Sequence, residues 1–95
     1  YPGKIIAQII EKKWKENFTN NIKLVGGDEW HGGNLSYHLS SRPMWDNILE
    51  KKDHTFDIPN EGFILVGQVD ILKQICSAIF IEIENQGFCM HGEKK

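Results

Sequence analysis

Apolar residues at Ile5, Ile6, Ile9, Ile10 and Trp14, with Phe18 a turn later, recur at helical spacing after the breaker pair Pro2-Gly3. They predict an amphipathic helix from Lys4, with Glu11, Lys12, Lys13, Lys15 and Glu16 on its outer side. Thr19-Asn20-Asn21 is expected to stop it, since Asn tolerates the left-handed backbone at a helix end. Ile22 to Val25 reads as a short buried strand closed by Gly26-Gly27. Asp28 is placed to cap a following helix, on which Trp30, Asn34, Tyr37 and His38 fall on one side. Gly32-Gly33 weakens that helix, and Arg42-Pro43 closes it because a residue before proline avoids the α region.

The second half is patterned differently. Met44 to Lys52 fits either a brief strand or a short helix led by Asp46. Asp53 to Gly62 carries the turn signal Pro59-Asn60-Glu61-Gly62 and reads as loop. Phe63 to Val66 is a continuous apolar run stopped by Gly67, as in a strand covered on both faces. Asp70 is expected to cap a helix with Ile71, Leu72, Ile75 and Cys76 on its inner face. From Ile79 the period becomes two: Ile79, Ile81 and Ile83 on one side, Phe80, Glu82 and Glu84 on the other, as in a strand near a sheet edge. Asn85-Gln86-Gly87 turns the chain, Phe88-Cys89-Met90 can return as a hairpin arm, and Gly92 to Lys95 is a polar tail.

This order predicts an α/β fold: a small sandwich of two or three layers with a short, mostly parallel sheet flanked by helices and a possible C-terminal antiparallel hairpin. It resembles a truncated doubly wound fold. Length leaves room for one core, so residues 1–95 are read as a single soluble domain. The absence of an initial Met suggests a piece of something longer, and neither a signal peptide nor a membrane-spanning apolar run is present.

Composition narrows the chemistry. With a net charge of -2 and Lys/Arg mixed among acids, no basic face for nucleic acid is visible. Cys76 and Cys89 fit neither a zinc nor a C-x-x-C spacing. They read as two small buried hydrophobes, a disulfide requiring a fold that brings their Cα atoms close.

The stretch Ile22 to Pro43 carries most of what is distinctive. Gly26-Gly27-Asp28 lies at the carboxyl end of a strand, where open α/β sheets bind ligands, but it matches no phosphate-binding fingerprint. Asp28 and Glu29 read as a cap and a first-turn acid favoured by the helix dipole rather than as an acid/base pair. His31 and His38 share a helix face about 10 Å apart, too far for one metal ion without help, though Asp28 is nearby. Trp30 and Tyr37 could stack on a sugar ring; the residues alone favour core packing. Asn17-Phe18-Thr19 and Asn34-Leu35-Ser36 match glycosylation sequons that arise often by chance. No catalytic triad is legible, no cofactor is called for, and no catalytic residue is assigned.

Tyr1-Pro2-Gly3, Trp14, Gly27-Asp28-Glu29-Trp30, Gly33-Asn34 and Arg42-Pro43 together resemble a pattern in bacterial membrane glycosyltransferases. These belong to the protein O-mannosyltransferase and lipid A aminoarabinose transferase superfamily, which uses polyprenyl-phosphate sugars. Some members carry a small soluble domain after their last membrane helix, and this chain looks like that domain across its first half and at Phe63 to Val66. The resemblance implies an accessory domain on the periplasmic side of a bacterial inner membrane, for acceptor recognition or scaffolding. Its partner would be the membrane domain of the same parent chain, with a glycan or lipid-linked sugar as a further partner. The family's catalytic acid lies in a loop after its first membrane helix, a region this chain does not contain, so the domain is expected to be inactive alone. Asp28, Glu29, Trp30, Asn34, Tyr37 and Arg42 are the candidate binding residues. Two other readings remain open: a stand-alone α/β domain binding a ligand or protein, and a small metal-dependent enzyme built on Asp28, His31 and His38.

Overall fold

The computed structural model describes residues 2–46, 62–76 and 78–95. In chain order the elements are α1 (Gly3–Asn17), β1 (Leu24–Gly26), α2 (Glu29–His38), β2 (Met44–Asp46), β3 (Phe63–Gln68), α3 (Val69–Ile75), β4 (Ile79–Ile83) and β5 (Gln86–His91). The strands form one sheet in the order β2-β1-β3-β5-β4. β1 pairs parallel with both β2 and β3, while β5 runs antiparallel between β3 and β4. The expected α/β sandwich is therefore the fold, with parallel pairing at one side and an antiparallel hairpin at the other.

Helices cover both faces. Residues alternate along a strand, so the run Phe63 to Val66 feeds two cores at once. Ile64 and Val66, with Val25, Phe88 and Met90, meet Ile6, Ile10 and Trp14 of α1 and Leu35 of α2. Phe63, Leu65 and Cys89 meet Leu72 of α3 on the opposite face. Burying these side chains stabilises by roughly 1.5–3 kcal/mol for each large aliphatic or aromatic group, before conformational entropy is counted.

The helices turn narrower faces inward than their apolar residues suggested. In α1 the buried positions are Gly3, Ile6, Ala7, Ile10 and Trp14. Ile5 and Ile9 are exposed: the helix is rolled toward Ala7, one step of about 100° in the other direction. In α3 only Leu72 is buried, while Ile71 and Ile75 are 52% and 55% exposed. Two turns of helix across a sheet offer one contact line, and Leu72 takes it. Gln68, not Asp70, is the N-cap of α3; Asp70 lies in its first turn.

Boundaries move for identifiable reasons. α1 ends at Phe18 in an extended conformation rather than at a left-handed Asn. Phe18 bridges Lys94, and the Thr19 N–H donates to the Glu93 carbonyl at 2.8 Å, so the polar tail is paired rather than loose. β3 runs through Gly67 to Gln68 because Gly67 and Gln68 pair with Gly87 and Gln86. The hairpin turn falls on Glu84 and Asn85, both at positive φ (51° and 64°), as a two-residue turn between twisted strands requires. Gly87 then belongs to β5, where a Cβ would lie 2.9 Å from the Phe80 ring. Met44–Asp46 resolves the first part of the ambiguous segment as strand; the rest of it, and the loop expected before Gly62, lie outside the described residues.

Cys76 and Cys89 form a disulfide across a Cα separation of 5.8 Å, which corrects their reading as free buried thiols. The hairpin carries Cys89 into the middle of the sheet and α3 ends directly above it. Among the described residues no helix is long and apolar enough to cross a membrane.

Candidate functional site

Because β1, β2 and β3 are parallel, their carboxyl ends lie along one edge of the sheet. The helix after β1 packs on one face and the helix after β3 on the other, the arrangement at which α/β sheets open a crevice. Gly27 enters it directly: its N–H donates to the Asp46 carbonyl at 3.1 Å, and a Cβ there would sit 2.8 Å from the Val66 carbonyl oxygen. Only glycine lets the chain pass this close to β3.

Asp28 caps α2. One carboxylate oxygen accepts from the His31 backbone N–H at 2.6 Å, and the other contacts His31 Nδ1 at 2.8 Å. Partial burial pushes the Asp28 carboxyl up, but hydrogen bonds from the His31 ring and backbone, the imidazole's positive charge and the Trp30 N–H outweigh it. The carboxyl is held below its ordinary value. The Trp45 indole donates to the Gly27 and Asp28 carbonyls, each at 3.1 Å, and closes over Gly32, where a Cβ would meet the indole nitrogen at 2.8 Å. Neither His31 nor Trp45 stood among the candidate binding residues. An acid three positions before a histidine at a helix start could have signalled the first; nothing in the sequence signalled the second.

The structure separates the candidate residues. Asp28 is occupied as a cap, and Glu29 is the first residue of α2. Asn34 turns back on its own helix, with Nδ2 donating to the Trp30 carbonyl at 2.5 Å. Trp30 and Tyr37 project outward, 60% and 64% exposed, which overturns their reading as core residues; Leu35 and Leu39 face the sheet instead. Arg42 joins them, its guanidinium 4.9 Å from the Tyr37 ring centroid, a cation–π distance. The Arg42 backbone is left-handed (φ 48°), and its N–H donates to the Leu39 carbonyl at 3.1 Å. Trp30, Tyr37 and Arg42 thus mark one outer face of α2, while Asp28 and Asn34 serve the helix itself.

His38 lies at the far end of α2 from His31, in edge contact with Tyr37 and beside Gly3. The proposed trio of Asp28, His31 and His38 is therefore not assembled. Among the described residues no group of three His, Cys, Asp or Glu side chains could hold a metal ion.

A second concavity, of about 400 Å³, opens at the opposite edge of the parallel strands among Glu11, Trp14, Phe18, Asn20, Ser40 and Ser41. Glu11 accepts from both the hydroxyl and the backbone N–H of Ser40, which ties α1 to the end of α2. Asn20 Nδ2 is buried there with no hydrogen-bond partner among the described residues. Comparison with known proteins returns no match: no family model, no curated protein and no solved structure matches the chain.

Proposed function

We propose that this chain is a non-catalytic accessory domain of a bacterial membrane glycosyltransferase that uses a polyprenyl-phosphate sugar. It acts on the periplasmic side of the inner membrane and contributes acceptor recognition through the outer face of α2. The observation that carries the reading is the pair of large aromatic side chains, Trp30 and Tyr37, left more than half exposed on one helix face with Arg42 against the second ring. An isolated exposed aromatic residue is common, but two on one face beside a stacked arginine make a surface suited to recognition. Two further features support it. The Cys76–Cys89 disulfide fits an oxidising compartment. The resemblance running from Tyr1 to Pro43 points to the same enzyme superfamily.

The test uses the full-length parent protein in membranes. Trp30→Ala with Tyr37→Ala should lower sugar transfer at least ten-fold while protein level and membrane insertion stay unchanged. Trapping thiols at cell lysis should find Cys76 and Cys89 oxidised. Unchanged transfer, or both thiols reduced in cells, overturns the reading and leaves a stand-alone binding domain that uses the same face.

A further inference from the structure

Among the described residues nothing requires Gly33 to be glycine. A Cβ at Gly32 would strike the Trp45 indole, whereas a Cβ at Gly33 would meet none of the described residues within 4 Å. In a helix interior glycine is the least favourable residue after proline, so Gly33 weakens α2 with no packing gain among the described residues. Its position is informative. It lies three residues after Trp30 and four before Tyr37, so it sits between two exposed rings that share a helix face about 10 Å apart along the axis. The surface is a saddle: an aromatic wall at each end, and between them the Gly33 backbone beside the Asn34 side chain, which is folded back onto the Trp30 carbonyl. At the Tyr37 end the left-handed backbone of Arg42 sets a guanidinium against the ring, with His38 in edge contact on the same ring.

We propose that this saddle is a saccharide site, in which a pyranose ring lies over Gly33 between Trp30 and Tyr37 and an anionic substituent meets Arg42. The proposal rests on the accessory-domain reading for its choice of face and names the ligand class that face takes. A pyranose presents a flat face of C–H bonds edged with hydroxyls. That face suits the negative π surface of an aromatic ring, and the missing side chain at Gly33 lets it come close. Charge complementarity fixes the substituent. The acids of this helix, Asp28 and Glu29, lie at its start, whereas Arg42 follows its end. A guanidinium stacked on tyrosine keeps its N–H edge for a carboxylate or phosphate.

The experiment follows backbone amide and indole N–H signals of the full 95-residue chain during titration with methyl glucuronide, glucose 6-phosphate and methyl glucoside. The two acidic sugars should shift the Trp30 indole and the amides of residues 33–37, and the neutral glucoside should need at least five-fold higher concentration. Gly33→Ala should raise the melting temperature by about 4 °C yet weaken acidic-sugar binding at least ten-fold, a pairing that simple helix stabilisation does not produce. Arg42→Gln should erase the preference for acidic over neutral sugar. No shift with any sugar, shifts centred away from residues 30–42, or a Gly33→Ala variant that binds like wild type overturns the proposal. If no sugar binds but Trp30→Ala with Tyr37→Ala still lowers transfer by the parent enzyme, the saccharide site is wrong and the accessory role stands. If sugars bind as described and transfer is unaffected, the site stands and the accessory role falls.

Discussion

One carboxylate, that of Asp28, holds His31 by two bonds at once, the backbone N–H at 2.6 Å and the imidazole Nδ1 at 2.8 Å. The start of α2 and the orientation of its first imidazole therefore depend on a single side chain.

Replacing that side chain should cost the whole helix start. Asp28→Ala is expected to lose about 1–2 kcal/mol of stability, the usual value of a side-chain cap. Because the folded state holds the Asp28 carboxyl below 3.8, its contribution is complete above the ordinary carboxylate pKa and is lost as pH falls through the lowered one. Urea unfolding of wild type and Asp28→Asn should differ at pH 7 and converge toward pH 3.

The two glycines of α2 should respond in opposite directions. Gly32→Ala places a methyl group 2.8 Å from the Trp45 indole nitrogen and should destabilise by about 1–3 kcal/mol, as overpacking does. Gly33→Ala should stabilise by up to about 1 kcal/mol through helix propensity alone. Thermal melts of both variants side by side check the sign.

Reduction should loosen α3 first. The disulfide spans 13 residues of sequence, and a loop near that length is worth about 3 kcal/mol in the chain-entropy view. Leu72 is the one other buried anchor of the helix. Cys76→Ala with Cys89→Ala, or reductant, should lower the melting temperature and speed amide exchange across residues 69–75 before the central strands are affected.

His91 stacks on Phe63 with ring centroids 4.6 Å apart and planes within 6°. Burial lowers its pKa below 6.5. A histidine kept neutral by the fold stabilises fully above its unfolded pKa, and that stability is lost as pH falls below it. Wild type should therefore weaken between pH 7.5 and pH 5 more than His91→Phe does, as read by urea midpoints at each pH.

What could be read from the residues, and what could not, divides along one line. Periods and breakers are local, so α1, the apolar strand at Phe63 to Val66 and the alternating strand at Ile79 to Ile83 were legible. Contacts between distant segments were not. An i, i+4 pair such as Ile71 and Ile75 reads as an inner face until the sheet decides which line of the helix it meets. Trp30 and Tyr37 had the same ambiguity, and Leu35 with Leu39 won the inward side. The disulfide depended on sheet order, since only a β5 inserted beside β3 puts Cys89 beneath the end of α3. In the candidate site the Asp28 cap was legible because capping is a short-range rule. Trp45 was not: its partners, the Gly27 and Asp28 carbonyls, lie across the sheet edge.

That insertion also sets a timetable for synthesis. β5 lies between β3 and β4 and supplies Phe88 and Met90 to one core and Cys89 to the other. As the chain leaves the ribosome, β3 and β4 are both made before the strand that joins them, and neither can complete its edge alone. The last six residues of the sheet act as a keystone. A nascent chain short of His91 holds the three strands β2-β1-β3 and a β4 without its neighbour, their apolar faces exposed, so folding should come late and as one event.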